Sequence, residues 1–313
     1  MAALAVCLLI SCGPRTAKKA SAPASTRDFP AVEIPVMITE PSERMLWLSL
    51  HLWDRFTDTG KLYTCDSLIV NGVKKEDLEK QMGIFSSLLL EIPLPEGQRA
   101  VGAWYNALDT FQRAFPQSNM LPQMAALTAE YLYDPNSPVR SEDLYLPFVQ
   151  RLSESDLIDK GYRAAYAWDA RMCTLNRIGS IAADFEFIDI QGRRQTLHSI
   201  KAETILLIFG NPDCTACREI METLENIPQV NDLINSGSLK VVDIYIDQEI
   251  DLWKSKSESY PKKWINGYDP NYVIRGDLIY NVRAIPSVYL LDAQKRVLLK
   301  DCPIERIFPA IGN

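Results

Sequence analysis

The hydrophobic period of this 313-residue chain changes once, near Asn176, and that change confines it to two parts of different class. Before it, apolar residues recur at steps of three and four. Leu78, Met82, Phe85, Leu89 and Ile92 form one such series, and Val101, Trp104, Leu108, Phe111 and Phe115 the next. Each series gives a helix with one apolar face. A helix is also expected from Pro41, carrying Met45, Leu46, Leu48, Leu50, Leu52, Trp53 and Phe56, and others near 119–133, 141–153 and 156–174. Pro, Asn, Ser and Gly separate them. Connections this short imply antiparallel neighbours, so residues 41–176 are expected to form an all-α domain.

Beyond Asn176 the period is that of strands. Phe185 and Phe187 alternate with other residues, and Gln191-Gly192 marks a turn before Gln195-Thr-Leu197. Thr204-Ile-Leu-Leu-Ile-Phe209 and Leu239-Lys-Val-Val-Asp-Ile-Tyr-Ile246 read as strands buried on both faces. Ser287–Leu291 and Arg296–Leu299 read as a hairpin around Asp292–Lys295. Helices are expected after Asp213 and over Pro303–Ile311, with a helix or loop region between Leu252 and Tyr280. Such an order makes 177–313 an α/β domain.

An apolar fraction of 47% is sufficient for two cores, and the formal charge is −7 with no long basic run. A nucleic-acid surface needs clustered Lys and Arg, so nucleic acid is not an expected partner.

The first twelve residues, MAALAVCLLISC, are almost wholly apolar and too short to span a bilayer. They read as an export signal over 1–11, with a buried terminal strand or helix as the alternative. Leu9-Ile-Ser-Cys12 resembles the bacterial lipobox, which implies cleavage before Cys12 and a lipid on it as membrane anchor. Residues 12–40, with the stretch PRTAKKASAPAST, are expected to be a flexible tether.

Seven cysteines are present. Cys65, Cys173 and Cys302 are isolated and read as buried apolar residues, a thiol relay being the alternative for Cys302. Only Cys214-Thr-Ala-Cys217 has a spacing that carries chemistry, at the point where a buried strand gives way to a helix. Free N–H groups and the helix dipole lower the pKa of a cysteine there. Cys214 is therefore the expected nucleophile, and Cys217, on the same face one turn in, the resolving thiol. A zinc site would need about four ligands, and the chain has no second CxxC and only His51 and His198. A structural disulfide is the remaining alternative for the pair.

Asp213-Cys-Thr-Ala-Cys217, followed some seventy residues later by Ile285-Pro286, resembles the thioredoxin superfamily. The lead-in Ile178-Gly-Ser-Ile-Ala-Ala-Asp-Phe185 is similar to the extra N-terminal hairpin of envelope thiol reductases and peroxiredoxins. A peroxiredoxin carries threonine at the position of Cys214, so the reductases are the better match. The resemblance covers about 178–313 and implies a central mixed sheet flanked by helices. It also implies that Pro286 is cis and positions an extended substrate segment, and that the pair exchanges disulfides with protein cysteines without a cofactor. The family members most alike are membrane-tethered, facing the periplasm in the bacterial envelope, and work as reductases. A membrane electron donor is therefore an implied partner. Three positions depart from the pattern: Asp213 replaces an aromatic residue, Thr-Ala lies between the cysteines, and Ile208 stands where thioredoxin has a buried Asp that moves protons. An acidic Asp213 beside Cys214 is expected to raise its pKa.

Other features carry two readings each. His51, Asp54 and Asp58 are a recognition surface or a solvated helix end. Trp253, Tyr260, Trp264, Tyr268 and Tyr272 line a groove near the thiols or pack an insertion. The helical half resembles uncharacterised helical domains that precede thioredoxin-like domains in some bacterial lipoproteins. The rival function is a redox-inactive binding lipoprotein in which this half recruits a partner.

Overall fold

The computed structural model describes residues 26–311. Cys12 and the expected signal segment lie outside them. Six helices make up the first part: α1 (Pro41–His51), α2 (Lys75–Glu91), α3 (Leu94–Ala114), α4 (Met120–Leu132), α5 (Glu142–Glu154) and α6 (Lys160–Cys173). The periodic residues Leu78, Met82, Phe85 and Leu89 of α2 meet Val101, Trp104, Leu108 and Phe111 of α3 in one core. Trp53 joins them, stacked on Trp104 at 4.3 Å between ring centroids. Each such side chain contributes roughly 1.5–3 kcal/mol on burial, so the amphipathic faces, not helix propensity, hold the bundle.

Two features correct the expectations for this part. The end of the expected tether is packed: Arg27 donates to the carbonyls of Asn71 (3.0 Å) and Phe56 (3.1 Å). Phe29 packs on Trp53 and Phe56. A small hairpin, β1 (Ile69–Val70) and β2 (Val73–Lys74), interrupts the helices. Its turn is Asn71-Gly72, both with positive φ, the pair that a two-residue hairpin turn favours.

The second part is a seven-stranded mixed sheet. Its strands are β3 (Glu186–Asp189), β4 (Arg194–Thr196), β5 (Thr204–Gly210), β6 (Leu239–Tyr245), β7 (Ile265–Tyr268), β8 (Ser287–Asp292) and β9 (Val297–Lys300). The order is β4-β3-β7-β6-β5-β8-β9, with β5–β6 and β6–β7 parallel and the other pairs antiparallel. Helices α7 (Thr215–Glu225), α8 (Pro228–Ser236) and α9 (Ile250–Ser255) complete it. The strand β7 falls in the region read as helix or loop. The expected terminal helix is instead two 3-10 turns, Ile304–Arg306 and Phe308–Ala310, because Pro309 lacks the N–H that a continuous helix would use there. Among the described residues no helix is long and apolar enough to cross a membrane.

The two parts meet through buried charge. Glu142, at the first turn of α5, is 2% exposed and lies 2.7 Å from Lys300 Nζ and 3.1 Å from Arg283 Nε. Lys300 also donates to the carbonyls of Cys173 (2.9 Å) and Leu175 (2.6 Å), where the last bundle helix ends. Removing one partner leaves an uncompensated buried charge. Glu142→Ala is therefore expected to cost about 3–5 kcal/mol in a denaturant titration. Arg113→Ala, which breaks an exposed pair with Asp109, is expected to shift the midpoint little. A Glu142→Ala midpoint as close to wild type as that of Arg113→Ala would show that the cluster carries no stability.

Candidate functional site

Strand β5 is buried on both faces through Gly210, and the chain reaches the surface at Asp213. The turn after it is pinned in place. Asn211 Nδ2 donates to Asp247 Oδ2 at 2.7 Å, and the N–H groups of Asp213 and Cys214 are received by the Asn211 side chain and carbonyl at 2.9 and 3.0 Å. Cys214 is then the N-cap of α7, and the Cys217 N–H donates to its sulfur at 3.2 Å. A sulfur in that position meets the positive end of a helix and a donor aimed at it, both of which favour the thiolate.

Cys214 and Cys217 are joined as a disulfide, with Cα atoms 5.2 Å apart. Cys214 is half-buried, whereas Cys217 is 5% exposed. The Ile285–Pro286 peptide is cis, and the Ile285 carbonyl oxygen lies 3.7 Å from Cys214 Sγ. The register of the sheet brings them together: Phe209, near the end of β5, pairs with Ser287, the residue after Pro286. Cys214, Cys217 and Pro286 thus form one site. Asp213 does not act on Cys214 alone, since its carboxylate forms an ion pair with Lys256.

One further group belongs to this place and went unread in the sequence. Asp243 on β6 is the register partner of Ile208 on β5. It shares a face with Val241 and Tyr245, which pack among Met221 and Leu224 of α7. A Cβ built on Gly210 would stand 3.4 Å from Asp243 Oδ1 and 3.6 Å from Cys217 Sγ, so carboxyl and sulfur lie within about 7 Å across that glycine. Only a residue without a side chain leaves this gap open. Among the described residues nothing donates a hydrogen bond to Asp243, and burial alone pushes its carboxyl up to about 7. The signal in the sequence was a lone acid among Val241, Val242, Ile244 and Tyr245 in an otherwise apolar stretch of strand.

Trp253, Tyr260 and Trp264 are buried in the layer between sheet and helices, so they pack the insertion. Cys302 is 3% exposed and its thiol is pushed up to about 12 by burial, the condition of an inert cysteine. His51 Nδ1 lies 2.7 Å from Asp54 Oδ2 at an exposed helix end, with Trp53 and Phe56 beneath in the core. Among the described residues no three His, Cys, Asp or Glu side chains converge as a metal ion would require.

Residues 11–172, just over half of the chain, match a family described as a domain of unknown function, DUF5106. The chain belongs to that family. A thioredoxin-like protein from Bacteroides caccae is 30% identical, with a TM-score of 0.78, covering 91% of this chain and 99% of its own. The C-terminal domain of an uncharacterised protein from Bacteroides fragilis is 40% identical, covering 44% of this chain and 99% of its own, at a TM-score of 0.43. The thioredoxin domain of a thiol-disulfide oxidoreductase from Bacteroides vulgatus is 21% identical over 43% of this chain and 95% of its own, at a TM-score of 0.37. A comparison with curated proteins gives no match. This DUF5106 protein thus has a helical first part and a thioredoxin-like second part with a mixed sheet flanked by helices.

Asp243 also makes a prediction for stability. Its folded pKa, about 7, lies above the unfolded value, so between the two the native state holds the extra proton. Stability from this group is full below about pH 4 and is lost as pH rises to about 7, a fall of about 4 kcal/mol. Asp243→Asn is expected to flatten that slope and to be the more stable protein at pH 8. Denaturant titrations from pH 4 to 8 check it, and parallel curves for the two proteins would contradict the assignment.

Proposed function

We propose that this protein is a thiol–disulfide oxidoreductase acting on protein cysteines through Cys214 and Cys217, in the reducing direction. The observation that carries the reading is the half-exposed Cys214 sulfur at the N-cap of α7, with a donor N–H at 3.2 Å and the Ile285 carbonyl beside it. In the reduced protein the Cys214 thiolate attacks one sulfur of a substrate disulfide. The substrate S–S bond breaks, a mixed disulfide forms, and the departing thiolate takes up a proton. Cys217 then gives its proton to the Asp243 carboxylate, directly or through one water, and its thiolate attacks Cys214. The second substrate thiolate leaves, two electrons have passed to the substrate, and the pair is a disulfide. A carboxyl with a pKa of about 7 is poised for this proton at neutral pH. Pro286 sits in the loop that receives the extended segment around the substrate cysteine.

Two complementary measurements test this. Equilibration of the pair in redox buffers should give a potential of about −250 mV or below, near thioredoxin's, whereas about −120 to −180 mV would reverse or blur the direction. Cys217→Ser should trap mixed disulfides, and Asp243→Asn should slow the resolving step about a hundredfold and remove the rise in rate near pH 7. A pair that neither equilibrates nor traps a partner sinks the enzyme reading.

The reading extends to location: a bacterial envelope lipoprotein held by lipid on Cys12, facing the periplasm and recharged by a membrane electron donor. It rests on the lipobox-like Leu9-Ile-Ser-Cys12. Metabolic labelling with a fatty acid should mark the wild type and not Cys12→Ala; label retained by the variant removes the anchor.

A further inference from the structure

The loop beside Cys214 is held from the helical half. Glu142 Oε1 accepts hydrogen bonds from Asn281 Nδ2 at 2.7 Å and Arg283 Nε at 3.1 Å. The guanidinium of Arg283 reaches Asp301 Oδ2 at 2.9 Å, and Asp301 Oδ1 accepts from the Ser287 hydroxyl at 2.8 Å. Arg283 and Ser287 stand on either side of Ile285–Pro286. The helical half adds two more contacts. The Tyr133 ring lies under the Arg283 guanidinium, 4.1 Å from centroid to Cζ, and Arg140 Nε donates to the Asp301 carbonyl at 2.8 Å.

The charges here balance: Glu142 and Asp301 against Arg283 and Lys300, with side-chain exposures of 1%, 5%, 12% and 1%. For stability alone such a cluster is a poor choice, because apolar residues of similar volume hold an interface as well or better. Its distinguishing property is direction. An Arg guanidinium and two carboxylates hold the side chains of Asn281, Arg283 and Ser287, and so the loop that carries them, in one geometry, which a greasy contact does not.

We propose that the helical half is a positioning element for the substrate-receiving loop. Glu142 orients Arg283 and, through Asp301 and Ser287, sets the backbone at Ile285–Pro286 in front of Cys214. The ligand served is an extended peptide segment around a cysteine, a role that rests on the exchange reading, whereas the mechanical coupling does not. This assigns to the DUF5106 region a task inside its own chain.

The test uses the full chain with Glu142→Gln, which keeps the shape and removes the charge, and Arg113→Ala as the comparison on the same half. Amide hydrogen exchange over 280–288 is read together with kinetics on a glutathionylated extended peptide. Loop exchange is expected to quicken about tenfold in Glu142→Gln and not in Arg113→Ala. The KM for the peptide is expected to rise about tenfold with kcat within about twofold of wild type. Equal loop exchange in Glu142→Gln and wild type overturns the proposal. So does a faster loop with an unchanged KM, which would make the cluster merely structural. Should Glu142→Gln not fold, Ser287→Ala deletes the last link without removing a charge and is judged by the same two readings. A wild-type protein that exchanges no disulfide with the peptide removes the exchange reading, and the loop amides still decide the coupling.

Discussion

Both faces of β5 are covered by apolar layers. Ile205, Leu207 and Phe209 pack with Phe185, Phe187, Tyr280 and Tyr289, while Leu206 and Ile208 pack with Met221 and Leu224 of α7. A strand so enclosed cannot slip its register without turning each side chain into the opposite layer. Its end at Gly210 therefore lies at one height against both neighbours. Pairing with β8 sets Ser287, and so Pro286, beside that end. Pairing with β6 sets Asp243 on the layer that holds Cys217. The chemistry of the site follows from where this strand stops.

Among the buried polar groups of the thioredoxin-like half, Asp243 and the junction cluster differ in an informative way. Among the described residues nothing pairs with Asp243, so burial raises its pKa to about 7 and leaves it divided between two protonation states near neutrality. The cluster at the junction of the halves is the opposite case, with each acid facing a base at hydrogen-bond distance. An unpaired buried carboxyl is suited to moving a proton. A charge-paired cluster is suited to holding a loop still.

The helices of the first half were legible because α2 and α3 each repeat large apolar residues at helical spacing, and that spacing has one physical solution. The Asn71-Gly72 turn was equally legible and was passed over within a helical reading. Strand β7 was hidden by its brevity and by Asn266-Gly267 at its centre, two residues poor in strand propensity that pairing with β6 overrides. The terminal segment looked helical by its apolar content, yet Pro309 removes an interior N–H and the segment stays in single 3-10 turns. Around Cys214 the expected influence of Asp213 was read without Lys256, which lies 43 residues away in sequence and pairs with it.

Local sequence alone determined the periods of the two halves, the strand-to-helix step at Cys214 and the spacing that puts Cys217 one turn inside the helix. Each of these is set by neighbours within a few residues, so a single chain displays it. Tertiary structure decided which distant groups share the site. Asp243 faces Cys217 because parallel strands align, Pro286 faces Cys214 because antiparallel strands align, and Glu142 reaches Arg283 because two separate cores close on one buried cluster. Such contacts depend on register and packing between separate segments, up to 141 residues apart for Glu142 and Arg283, where no local period carries the information.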